Sequence, residues 1–123
     1  MKRDEILNYF NLLENTPTLG TGRGFMEPAG GSGTSTSPVD GTELASFTHA
    51  GKEQLEPLIQ TAQDGFEKWR TVPAPKRAAV LHSLARVLRE NKDELGHLMT
   101  LEMGKPLREA KGEVENCAET AEF

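Results

Sequence analysis

The side chains able to do chemistry are few and scattered. One cysteine, Cys117, and three histidines, His49, His82 and His97, occur in 123 residues. A nucleophilic cysteine needs a helix N-terminus, a cationic neighbour or a paired base to favour its thiolate. Cys117 falls late in an acidic segment, at helical spacing from Val114, Ala118 and Ala121, so it reads as a packing residue. His82 and His97 have no serine or carboxylate partner at charge-relay spacing. Together with a lone cysteine, the three histidines form no zinc-type ligand pattern, and no metal is expected. Two glycine-containing stretches resemble phosphate loops. Gly20-Thr21-Gly22-Arg23-Gly24 follows no strand, opens no helix and lacks the dinucleotide spacing. In Gly104-Lys105-Pro106, Met99 stands where the first loop glycine belongs, and Pro106 replaces the hydroxyl residue that would hold magnesium. No catalytic, cofactor-binding or metal-ligating residue is assigned on these grounds.

Two broader patterns remain. Lys68, Arg70, Lys76, Arg77, Arg86, Arg89 and Lys92 form a basic run interrupted only by Glu90. Such a run is either a solvated face or a dock for acids, and the acidic C-terminal segment is the obvious intramolecular candidate. Gly112, Asn116 and Thr120 lie at i, i+4 and i+8 of that segment, off its apolar stripe. They form either a polar surface row or a strip of small residues that lets a backbone or ligand come close.

The length suits one domain, burying roughly two thirds of the surface its unfolded chain exposes. Residues of the apolar set make up 36% and aromatics 6%, which leaves a thin core. No run approaches the roughly 18 apolar residues of a spanning helix, so no membrane partner is expected. Met1-Lys2-Arg3 is followed at once by Asp4 and Glu5, unlike an export signal. A net charge of −5 and a pI near 5.2 argue against nucleic acid as a partner. One cysteine excludes an internal disulfide and points to a reducing compartment, the cytoplasm.

These residues must be carried by elements whose order the sequence suggests. Residues 1–14 hold a short helix, capped by Asp4, with Ile6, Phe10 and Leu13 on one face. Residues 15–34 read as a flexible Gly/Ser/Thr-rich arm. A hairpin spans 35–48, turning at Asp40-Gly41, a pair suited to positive φ. Helices are expected over about 54–71, 75–103 and 106–123. The first carries Leu55, Leu58, Ile59, Ala62, Phe66 and Trp69 as a wide stripe; it should start near Pro57, which is tolerated only in a first turn, and stop before Pro73. The second points Ala78, Leu81, Leu84, Ala85 and Leu88 inward and restarts at Asn91. Gly104 and Pro106 form a stop and restart. The last helix begins at Leu107, with Leu107, Ala110, Val114, Cys117, Ala118 and Ala121 inward.

Three stretches carry a family resemblance. Ser37-Pro38-Val39-Asp40-Gly41-Thr42-Glu43 is similar to the hairpin opening of the aldehyde dehydrogenase superfamily, with Ser37 where that pattern has asparagine. Phe66 to Arg70 followed by Pro73 to Arg77 resembles its next segment. Leu101-Glu102-Met103-Gly104-Lys105-Pro106-Leu107, with Glu109-Ala110 and Glu113-Val114, resembles its glycine-lysine-proline motif. Order and spacing match over about residues 35–123. The glycine-rich arm with Ser37 to Gly41 is also similar to the branch acting on aminoadipic semialdehyde.

The resemblance implies an α/β family fold of which residues 35–123 form an incomplete domain, mainly α-helical with an N-terminal arm and one β-hairpin. It implies oxidation of an aldehyde, or a semialdehyde, to a carboxylic acid with NAD or NADP, by a homo-oligomer. A cysteine attacks the carbonyl, hydride passes to the nicotinamide, and a glutamate-activated water hydrolyses the thioester. The motifs for these roles do not occur in this sequence, and Cys117 sits in the wrong motif to inherit one. The resemblance places the last helix beside the substrate channel, which makes Gly112 and Asn116 candidate lining residues. The last helix carries no stop signal, and its C-terminal acids oppose the helix dipole. The expectation is therefore a truncated, inactive scaffold segment whose partner is the remainder of the enzyme. The alternative is a complete small helical interaction module without catalysis.

Overall fold

In the computed structural model, residues 1–13, 18–22 and 24–123 are described. Nine elements follow in order: α1 (Arg3–Tyr9), β1 (Leu19–Gly20), β2 (Phe25–Met26), β3 (Ser32–Thr36), β4 (Glu43–Thr48), α2 (Lys52–Trp69), α3 (Ala74–Glu90), α4 (Lys92–Met103) and α5 (Leu107–Glu122). Helices dominate, as expected. Two antiparallel hairpins, β1–β2 and β3–β4, replace the single one expected among the described residues.

The first helix is shorter than the sequence suggests. Lys2 precedes it, and Asp4 lies within its first turn rather than capping it. The Glu5 carboxylate instead accepts the Lys2 N–H at 2.9 Å. Glu14, the expected helix end, lies outside the described residues, as do residues 15–17 and Arg23 of the expected arm. The rest of that arm carries β1 and β2, where Leu19 pairs with Met26 and Gly20 with Phe25. The tight turn needs positive φ, and Gly22 and Gly24 supply it at +72° and +150°. Strand β3 starts at Ser32 and pairs with Thr48; the register slips between Ser35 and Thr36.

The β3–β4 turn is held by short polar contacts. The Ser37 N–H donates to the Thr42 carbonyl at 2.8 Å, and the Gly41 N–H to the Ser37 carbonyl at 2.9 Å. Ser37 Oγ accepts the Val39 N–H at 3.3 Å, the turn-stabilising task that asparagine also performs. Asp40 Oδ1 accepts the Thr42 N–H at 3.0 Å. This bond stabilises the ionised form and holds the Asp40 carboxyl below its usual range.

Helix α2 begins at Lys52, a full turn before Pro57, so Pro57 lies inside the helix. The missing proline N–H removes one rung there. Gln54 anchors the early start: its Oε1 accepts the Gly51 and Ala29 N–H groups at 2.9 and 2.8 Å, and its amide donates to the Glu27 carbonyl at 2.8 Å. At the other break, Gly104 takes a left-handed φ of +69°. A Cβ there would lie 3.2 Å from Pro38 Cγ. The α4–α5 corner thus rests against the hairpin tip.

The core lies where α5 packs against α3 and α4, and where α1 packs on α4. Ile6, Leu7, Leu19, Leu44, Ala85, Ala110, Val114 and Ala118 are buried. Of the stripe expected on α1, Ile6 is buried, Phe10 half-buried and Leu13 exposed. Leu7 takes the second buried place, lining a space it shares with Leu44 and Phe47 of β4 and Leu98 of α4. Along α3 only Ala85 is buried; Leu88 is half-buried, and Ala78, Leu81 and Leu84 are exposed. No residue of α2 is buried.

Candidate functional site

Helix α5 carries both residues singled out as candidate channel lining. Its buried positions, Ala110, Val114 and Ala118, recur every four residues, and Leu107 and Ala121 flank them half-buried. Small side chains there let α5 approach its neighbours closely. Gly96 of α4 is buried at the same contact, and a Cβ on it would meet Lys111 Cγ at 2.7 Å.

One flank of this stripe is charged. Arg89 Nε donates to Glu115 Oε1 at 2.7 Å, and its two terminal nitrogens donate to Glu122 at 2.5 and 2.8 Å. Lys92 Nζ reaches the other oxygen of Glu115 at 2.9 Å. Lys111 pairs with Asp93 at 2.8 Å. Hydrogen bonds from Arg89 hold Glu122 and Glu115 below their ordinary range, with Lys92 adding to the effect on Glu115. The same bonds push the Arg89 pKa up. Hydrogen bonding from Lys111 lowers Asp93 likewise. Two acids that seemed only to oppose the helix dipole therefore have cationic partners from α3 and α4. The basic run divides: Arg89 and Lys92 dock on α5, while Arg70, just past the end of α2, pairs with Glu67 and Arg86 pairs with Glu90 within α3.

Gly112 and Asn116 lie one turn apart on the far side of α5 from this stripe, and both are exposed. A Cβ on Gly112 would meet nothing within 4 Å. Gly112 borders a shallow depression of about 520 Å³ shared with Lys92, Leu107, Arg108 and Lys111. Thr120, one turn further along the same face, donates its Oγ1 to the Asn116 carbonyl at 2.7 Å. That face offers an amide side chain and accessible backbone. It can line or hydrogen-bond a ligand, but it brings no nucleophile together with a base.

Cys117 is exposed rather than packed. It sits at the edge of the α5 stripe, on an open apolar groove of about 290 Å³ lined also by Leu88, Leu95, Leu98, Met99, Glu102, Met103 and Val114. That lining includes no histidine, lysine or arginine to activate the thiol. His97 Nδ1 donates to the Asp93 backbone carbonyl at 2.7 Å, and its Nε2 lies 3.4 Å from the Met1 amine. Gly20 closes strand β1 and Gly24 precedes strand β2, so this stretch does follow a strand, contrary to the expectation, but leads into no helix. It therefore offers a phosphate no helix N-terminus. Among those residues no group of three or more His, Cys, Asp or Glu is placed to hold a metal ion. No helix of the described residues is long and apolar enough to cross a membrane.

The family model described as the aldehyde dehydrogenase family matches residues 25–123. The chain belongs to that family. The malonate-semialdehyde dehydrogenase of Bacillus cytotoxicus is 38% identical over 87 residues, covering 71% of this chain and 18% of that protein. The NADP-dependent succinate-semialdehyde dehydrogenase of Escherichia coli is 38% identical over 88 residues, covering 72% of this chain and 18% of that protein. An NADP-dependent enzyme of Escherichia coli superimposes with a TM-score of 0.82 at 33% identity, covering 93% of this chain and 24% of that one. The chain thus spans about a fifth of the length of these relatives, and over that fifth it adopts the family fold.

Proposed function

We propose that these residues form the N-terminal scaffold of an NAD(P)-dependent aldehyde dehydrogenase that oxidises an aldehyde, specifically a semialdehyde, to a carboxylic acid. The match to the family over residues 25–123 carries the reading. Two relatives named for semialdehyde substrates favour that substrate class. In the overall reaction aldehyde, water and NAD(P)+ give acid, NAD(P)H and a proton. The present residues contribute architecture: the Arg89–Glu115–Glu122 clamp and the small α5 core fix the helix whose open face carries Gly112 and Asn116. These two line the mouth of the substrate channel, and the partner of the scaffold is the remainder of the enzyme. The complete protein is a cytoplasmic homo-oligomer in this reading.

The purified chain, incubated with malonate or succinate semialdehyde and either cofactor, should yield no NAD(P)H. Fused ahead of the catalytic remainder of the Bacillus relative, it should support NAD(P)H formation that the remainder alone does not. Turnover by the chain alone, or a fusion no more active than the remainder, would overturn the proposal. In the active fusion, Asn116→Leu should change KM for semialdehydes several-fold with little effect on kcat. Unchanged kinetics across several aldehydes would remove Gly112 and Asn116 from the channel.

A further inference from the structure

We draw no further inference here: the strongest candidate, the exposed apolar face of α2 formed by Leu55, Ile59, Phe66 and Trp69, carries nothing because nothing in the structure shows what covers it.

Discussion

Helices α5 and α2 are both amphipathic, yet they end in opposite situations. Helix α5 buries Ala110, Val114 and Ala118 between α3 and α4. Helix α2 leaves Phe66 at 55% and Trp69 at 44% of full exposure. The side chains explain part of the difference. Alanine and valine on α5, facing Gly96 on α4, let three helices close together with little protruding volume. Leucine, isoleucine, phenylalanine and tryptophan on α2 project far enough to need a shaped surface opposite. Amphipathic spacing names the face to be covered; it does not supply the cover.

The strongest way to break this comparison is to place a charge on each stripe. Val114→Asp would bury an unpaired carboxylate and should cost roughly 3 kcal/mol or more, collapsing the α3–α4–α5 packing. Phe66→Asp should leave the urea midpoint near that of the parent and reduce self-association. Urea titration by circular dichroism with light scattering measures both. Equal destabilisation by the two substitutions would mean that α2 is covered within this chain.

Glycines sharpen the contrast at smaller scale. Gly96→Val forces a side chain into Lys111 and should cost about 1–3 kcal/mol. Gly65→Ala on α2 meets open space and should add about 1 kcal/mol through helix propensity. A stabilising Gly96→Val would show that α4 and α5 can separate freely.

A smaller effect is expected at the charged flank. Glu115 and Glu122 titrate below their ordinary value of 4.5 in the fold because Arg89 bonds their ionised forms. Their contribution is complete above that value and is lost as pH falls through the depressed folded values. Arg89→Leu should therefore lower the urea midpoint modestly at neutral pH and flatten its decline in acid. The neutral-pH loss should shrink at high salt, because these groups are open to solvent. An acid limb as steep as the parent's would remove the clamp from the account.

The least disruptive test concerns the edge of the α5 stripe. Exposed Cys117 should react with a disulfide reagent in the native state about as fast as in urea. Protection until unfolding would mean that the apolar groove beside it is closed.

Much of the fold was legible because the signals are local. Pro73 and Pro106 fix φ where they stand, Gly41 and Gly104 permit the positive φ that a turn or helix end needs, and breaks occur at or next to each of them and at Asn91. The candidate site was legible only as a row on a helix, since the spacing of Gly112, Asn116 and Thr120 separates them from the stripe whatever packs there. Less visible were the β1–β2 hairpin, whose strands are too short to show alternation, and the start of α2, fixed by Gln54 reaching back to Glu27 and Ala29.

By itself, then, the sequence determined where the later helices break, which helical faces are apolar, and through its motifs which family the chain joins. These follow from dihedral preference and side-chain period, which act over a few residues. Only the tertiary structure decided that α5 is covered and α2 is not, that Cys117 stands open, and that Arg89 and Lys92 rather than the whole basic run meet the acids of α5. Burial and ion pairing depend on which distant surfaces come into contact, and no periodicity along one segment contains that information.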